Sequence, residues 1–163
     1  MTAQQYRTWS GSVAFTPGAH AEPADEQELT DLITSTAERG GTVRPRGSGH
    51  SSMPLIATED VLVSLDAMSG LIDHDAQAGL ARLGPGTTLE QAGEELAQAG
   101  LAMENFGDVS YQSIAGAIGT GTHGTGLQFG NLSTLLAGGR MITGTGQVMK
   151  FGVDDDASPA GAE

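Results

Sequence analysis

The 163-residue chain contains no cysteine. Disulfides and thiolate metal sites are therefore excluded, and a reducing compartment is compatible with the composition. Aromatic residues are scarce, with one Trp, two Tyr and four Phe. Seven basic residues stand against twenty acids, a formal net charge of -13. Such a chain repels nucleic acid and anionic membrane, so neither is an expected partner. No apolar run approaches the roughly 18 residues of a membrane span. The N-terminus shows no basic, apolar, small-residue leader. The expectation is a soluble, cytoplasmic, single domain, long enough to bury a core.

The most telling absence is local. Sixteen of the twenty acids lie between Glu22 and Asp108 and four in the tail, Asp154, Asp155, Asp156 and Glu163, but none from Val109 to Val153. That acid-free stretch contains the glycine turn Gly119-Thr120-Gly121-Thr122-His123-Gly124-Thr125-Gly126. Backbone N–H groups in such a turn attract anions, and a carboxylate beside them would compete. A buried glycine-rich segment that simply excludes charge is the other reading. About seventy residues earlier stands a second turn, Arg46-Gly47-Ser48-Gly49-His50-Ser51, just after the β-branched Thr42-Val43. Its glycines let backbone approach a ligand closely, and its histidine is placed to touch that ligand. Two such turns suggest one ligand held from two sides.

The periodicity predicts a helix over Asp25–Arg39, with Leu29, Leu32, Ile33 and Ala37 on one face and Gly40-Gly41 as its stop. Short strands are expected at Thr42–Arg46 and Val61–Leu65, and a hairpin from Leu71–His74 and Leu80–Leu83. Thr87 with Glu90 reads as a capping box opening a second helix that ends at Gly100. Leu101–Glu104 reads as a strand, Ser113–Ile118 as a helical turn, and Leu135–Thr143 and Gln147–Phe151 as the last strands. Beyond Phe151 the acidic, then Ser/Pro/Ala/Gly-rich tail is expected to be disordered. The class is α+β, without regular βαβ alternation.

Gly119-x-Gly121-x-x-Gly124 matches the dinucleotide fingerprint, but a lone match carries little weight. No long helix opens at these glycines, and the ribose-binding acid expected about 20 residues on is missing. Neither turn is followed by the Lys-Ser or Lys-Thr of a phosphate-binding loop. His50 and His123 have no second ligand at helical spacing, so no metal site is expected. Ser51 lacks a nucleophile-elbow pattern.

Four blocks, in order, resemble the vanillyl-alcohol-oxidase type of FAD-linked oxidases (PCMH-type FAD-binding domains), and most of all the aldonolactone and alditol oxidases. They are Trp9-Ser10-Gly11-Ser12-Val13, Val43 to Ser51, Gly100 to Asp108, and Ser113 to Gly126. The resemblance covers most of residues 9–151 and implies mixed sheets flanked by helices. It implies FAD as cofactor. Backbone amides of Gly47, Ser48 and Gly49, with Ser51 and in the loop opened by Arg46, would hold the diphosphate. Asp108, Ser113, Gly116, Thr120, Gly121, Thr122 and His123 would line the flavin from the other side. His50 matches the histidine that many members bond to the flavin 8α-methyl; non-covalent contact and a purely structural role are the alternatives. For His123 a structural hydrogen bond stands beside direct flavin contact. Gly107 matches a small residue near the reactive face, which would leave room for O2; a glycine demanded by a turn is the alternative. His20 and His74 read as surface residues.

The same resemblance implies a FAD-binding domain, in part, over residues 1–152, a tail over 153–163, and no substrate-binding cap, so that the chain reads as truncated. No residue stands out as a base for alcohol oxidation. Asp73, Asp75 and the Glu94-Glu95 pair read as solvated charges. The expected function is hydride transfer from a CH–OH group of a sugar lactone or polyol to FAD, with O2 as acceptor. The alternative is a non-catalytic flavin-binding module.

Overall fold

The computed structural model describes residues 4–153. The tail after Val153 lies outside them. The chain opens with two short arms, β1 (Tyr6–Arg7) and β2 (Ala14–Phe15), paired antiparallel with Tyr6 opposite Phe15. The two rings meet at 5.5 Å.

β3 (Ala19–Ala21), α1 (Glu26–Glu38), β4 (Val43–Arg46) and β5 (Val61–Ser64) form the central unit. The sheet order is β3-β5-β4, and both neighbours run parallel to β5. All four positions of β5 are buried. A central parallel strand is covered on both faces, which is why Val61-Leu62-Val63 is a continuous apolar run rather than an alternating one. This sheet contains one parallel β-α-β crossover, β3-α1-β4, that the sequence did not disclose. β3 is three residues, Ala-His-Ala, without a β-branched or aromatic side chain to signal it.

α1 starts where Asp25 accepts a hydrogen bond from the Glu28 N–H at 2.9 Å. Glu26 and Glu28 in the first turn complement the helix dipole. Gly40, at φ +70°, lets the chain leave. Asp60, just before β5, accepts from the Thr42 N–H and from Arg39 Nη2, each at 2.7 Å. The Arg39 hydrogen bond, followed by that of the Thr42 amide, holds the Asp60 carboxyl below its ordinary value. Its contribution to stability is therefore present above the unfolded carboxyl pKa, about 3.9, and is lost as pH falls through the lower folded value. Asp60→Asn is expected to flatten the acid limb of the stability profile below about pH 4. Thermal unfolding from pH 7 to pH 2 checks this, and an unaltered acid limb would refute it.

The hairpin β6 (Leu71–Asp75) and β7 (Leu80–Leu83) follows, then α2 (Leu89–Gln98), the short α3 (Ile114–Gly119), and the hairpin β8 (Gly138–Ile142) and β9 (Val148–Gly152). Single 3-10 turns occur at Pro54–Ile56 and Leu132–Leu135. A second core brings Leu89, Ala117 and Leu132 together, with Met103, Phe106, Ile114 and Ile118 against them. Arg140 of β8 pairs with Glu26 (Nε to Oε2, 2.8 Å) and ties the last hairpin to α1.

Several expectations are corrected. The N-cap of α2 is Thr88, whose hydroxyl accepts from the Gln91 N–H. Thr87 is fully buried, and its hydroxyl donates to the Gly84 carbonyl at 2.6 Å and accepts from the Gly70 N–H at 2.9 Å. Leu101–Glu104 forms no strand. The stretch Leu135–Thr143 is divided: Leu135 closes a 3-10 turn, and the ladder starts only at Gly138. Glu95 is not a free solvated charge, because it accepts from the Leu71 N–H and from Gln91 Nε2, fastening α2 to β6. Among the described residues no helix is long and apolar enough to cross a membrane.

Candidate functional site

The first glycine turn meets the segment that leads through α3 into the second. The first leaves the C-terminal end of β4, at the edge of the parallel sheet. The second begins at Gly119, the last residue of α3. The junction is Ser48, whose Oγ donates to the Tyr111 carbonyl at 2.6 Å and accepts from the Ser113 N–H at 3.0 Å. Gly47 lies against Ser113 and Gly116, and a Cβ on Gly47 would sit 2.5 Å from Ser113 Oγ. The glycine fits there because the Ser113 hydroxyl fills the space a side chain would take. Gly49 (φ +69°) and Gly121 (φ +68°) occupy the left-handed region that a side chain disfavours.

The first turns of both helices are closed by protein carbonyls. The Leu89 and Glu90 N–H groups donate to Gln112 and Ser110, and the Ile114 and Ala115 N–H groups to Thr87 and Pro85. The loops themselves differ. Among the described residues, the N–H groups of Ser48, Gly49, His50 and Ser51 donate to no protein acceptor, and neither do those from His123 through Gln128. Backbone donors are seldom left without a partner, so such runs are open to solvent or ligand. Consecutive amides in glycine-rich turns form concavities that favour anions.

Two clefts lie in this region, and the smaller reaches the junction. One, of about 210 Å³, is lined by Arg46, Gly47, Asp66, Pro85, Ser113 and Gly116 among others. Arg46 is held there by Asp66 at 2.9 Å. The other, of about 400 Å³, is lined by the second loop from Gly121 to Asn131, His123 included. It contains no carboxylate, as the acid-free stretch requires.

His50 is half-buried between two rings. Its Nδ1 lies 3.0 Å from the Tyr111 hydroxyl, and the Trp9 ring sits 5.0 Å from its own. The Trp9 N–H donates to the Gly49 carbonyl at 2.8 Å, which fixes the N-terminal arm on the first loop. Beneath the loop, burial pushes the Tyr6 phenol above its ordinary pKa, with the nearby Arg46 guanidinium opposing. Gly107 packs on Thr122: a Cβ there would meet Thr122 Cγ2 at 2.6 Å. Close packing alone thus calls for a glycine. His123 is exposed, with Nδ1 3.0 Å from the Gly124 carbonyl. Ser51 is exposed, and its Oγ accepts from the Met53 N–H. Thr120 caps α3 and donates to the Gly116 carbonyl at 2.9 Å. Asp108 is exposed. So Gly47, Ser48, Ser113 and Gly116 gather at one contact, with His50 at its rim, and Gly107 packs separately on Thr122 of the second loop.

Sequence reasoning missed Tyr6, Tyr111, Asp66, Asn105 and Asn131. Asn105 Nδ2 and Asn131 Oδ1 are buried without a hydrogen-bond partner among the described residues, and Asn131 lines the larger cleft. Their signal was faint: one Asn on each side of the acid-free glycine turn.

A run of anion-seeking amides on each side of a glycine junction suits a ligand that carries a diphosphate. Residues 17–152 match the family described as FAD binding domain. The chain belongs to this FAD binding domain family. Its cofactor is FAD, and the glycine cradle with its free amides fits that group. L-gulono-1,4-lactone dehydrogenase of Mycobacterium tuberculosis is 39% identical over 151 residues, covering 93% of this chain and 35% of the relative. A putative D-arabinono-1,4-lactone oxidase of Neurospora crassa is 31% identical over 154 residues, covering 94% and 28%. The FAD-binding chain thus spans about a third of the length of the curated relatives it matches. Among solved structures, cholesterol oxidase from B. sterolicum superposes with a TM-score of 0.83 at 21% identity, over 94% of this chain and 32% of that one. At that identity the likeness concerns the fold.

Proposed function

We propose that this FAD-binding chain provides the flavin site of a cytoplasmic oxidoreductase that takes hydride from a CH–OH carbon of a sugar lactone or polyol, with O2 as final acceptor. The observation that carries the reading is the pair of loops with unengaged backbone N–H groups, linked through Ser48 and the segment before α3. When bound, FAD supplies the hydride-accepting ring, and the protein supplies orientation and electrostatics. The amides of Gly47 to Ser51 hold the diphosphate, in the loop opened by Arg46, whose charge Asp66 balances. Asp108, Ser113, Gly116, Thr120, Gly121, Thr122 and His123 line the flavin from the opposite side. His50 is the residue for contact with, or a bond to, the flavin. The lactone substrate class is supported by the names of the relatives, which include both a dehydrogenase and an oxidase.

A second reading concerns residues 1–163 alone: a flavin-holding module without turnover. It is favoured by the absence of a free carboxylate in either cleft among the described residues, Asp66 being paired with Arg46. One experiment tests both. The purified chain is titrated with FAD, separated from excess, and precipitated with acid; L-gulono-1,4-lactone is then added anaerobically to a parallel sample. A yellow protein supports the flavin site, and flavin retained in the acid pellet supports a bond to His50. Lactone-driven bleaching establishes an enzyme; its absence establishes the module. A colourless protein refutes both.

The O2 reading needs a variant that respects packing. Gly107→Ala alone drives a methyl into Thr122 Cγ2. The double variant Gly107→Ala/Thr122→Ser removes that methyl and keeps the hydroxyl. Reduced, FAD-loaded double variant is expected to reoxidise in air more slowly than Thr122→Ser. Equal rates would remove Gly107 as the route for O2.

A further inference from the structure

A buried polar atom without a partner is rare in a folded chain and calls for an explanation. Two such atoms bracket the second glycine loop. Asn105 Nδ2 and Asn131 Oδ1 are buried, and neither makes a hydrogen bond among the described residues. One is a donor and the other an acceptor. Asn105 touches the loop at Gly124, where a Cβ would collide with Asn105 Oδ1 and with the Phe106 carbonyl. Asn131 touches it at Gly121, where a Cβ would stand 3.6 Å from Asn131 Nδ2.

The loop between them has the complementary defect. Its N–H groups from His123 through Gln128 donate to no protein acceptor. Residues His123 to Leu127 line the larger cleft together with Asn131. Donors without an acceptor thus stand beside an acceptor without a donor. The two ends of the loop are fixed. The Thr122 N–H donates to the Ala117 carbonyl at 2.9 Å, the Leu132 N–H to the Thr122 carbonyl at 2.8 Å, and the Thr134 N–H to the Asn131 carbonyl at 3.0 Å. The stretch between can change, because Gly124 and Gly126 leave its backbone permissive.

We infer that Asn105 and Asn131 are positioning residues that hold the second loop in its ligand-bound form. In that form an N–H of the His123–Gln128 run donates to Asn131 Oδ1, and a loop carbonyl accepts from Asn105 Nδ2. The ligand-free chain leaves both amides short of a partner, which destabilises it. A ligand shifts the loop only by binding one arrangement better than the other. Here the two pairings add to that difference. The ligand is FAD, so this role rests on the flavin reading above; the unpaired amides of the free chain do not.

Asn105→Leu and Asn131→Leu keep the approximate shape and remove the unpaired atoms. Thermal unfolding of the FAD-free full chain and the FAD dissociation constant are measured for each. The two effects are expected to be opposite in sign: a melting temperature raised by a few degrees, and FAD bound about tenfold more weakly. Amides already satisfied in the free chain, by water or by protein, would lower the melting temperature, and that result overturns the inference. A raised melting temperature with unchanged FAD affinity overturns it as well. In the isotope-labelled parent, the side-chain amide signals of Asn105 and Asn131 are expected to shift and to exchange more slowly when FAD saturates; unmoved signals overturn it. If Asn105→Leu, tight against Gly124, does not fold, Asn131→Leu and the side-chain signals decide. A parent chain that binds no FAD defeats the flavin reading, while the FAD-free melting temperatures still report whether the amides stand unpaired. FAD binding equal in parent and variants defeats this inference alone.

Discussion

Replacing Leu89 with alanine is expected to cost about 2–5 kcal/mol of folding stability. Leu89 opens α2, is 0% exposed, and meets Ala117 of α3 and Leu132 beyond the second glycine loop. Removing it leaves a cavity at the one place where α2, α3 and the loop share a core. Collapse into that cavity is restricted. The N–H of residue 89 is fixed on the Gln112 carbonyl, and the Leu132 N–H on the Thr122 carbonyl at 2.8 Å. The larger values in the range are therefore expected. The damage extends to function, because α3 and the loop ride on this cluster: FAD affinity falls with stability. Leu89→Met, close in volume, should cost less than about 1.5 kcal/mol. Chemical denaturation of the two variants measures both values; a Leu89→Ala loss no greater than that of Leu89→Met would contradict the role assigned to the cluster.

The second large effect is expected from Ser48→Ala. One hydroxyl is removed and two groups lose a partner, the Tyr111 carbonyl and the Ser113 N–H. Ser113 is buried, at 5% exposure. A buried donor left without an acceptor costs about 1–3 kcal/mol. The first glycine loop also loses its bridge to the segment before α3, which leads into the second loop, while the Gly47–Gly116 approach remains. FAD affinity is thus expected to drop by about tenfold or more, since 1.4 kcal/mol is a factor of ten in binding. Ser48→Thr keeps the hydroxyl and should recover most of the affinity. Equal FAD affinity for the parent and Ser48→Ala would show that the loops do not bind as a pair.

How much of this was legible depends on the length of the signal. α1 shows apolar residues at helical spacing, an Asp cap and two terminal glycines, and it forms as read. β5 announces itself by Val-Leu-Val. The pair Thr87-Thr88 offered two capping registers, and packing chose between them, because Thr87 is the hydroxyl that fits the buried contact with Gly70 and Gly84. β1, β2 and β3 are two or three residues each; partners across the sheet, not local preference, make them strands. At the site, the glycines were legible because positive φ and close backbone approach leave few other choices. Trp9 falls in a short Trp-Ser-Gly-Ser motif, but nothing in the sequence places it beside His50. Tyr111 lies 61 residues from His50, and nothing in periodicity joins them. The acid-free stretch was the most useful global clue, since it marks the loop whose amides stand unengaged. It could not show that Asp66, just past the end of the neighbouring strand β5, enters the smaller cleft to neutralise Arg46.

In the proposed site two backbone runs hold one cofactor. The most direct measurement is an FAD titration of isotope-labelled full chain, followed residue by residue through the backbone amide spectrum. The expected result is saturable shifts concentrated at Ser48 to Ser51 and at His123 to Gln128, with the β8–β9 hairpin little changed. Saturable binding that perturbs the hairpin and spares both loops, or no binding at all, would contradict it.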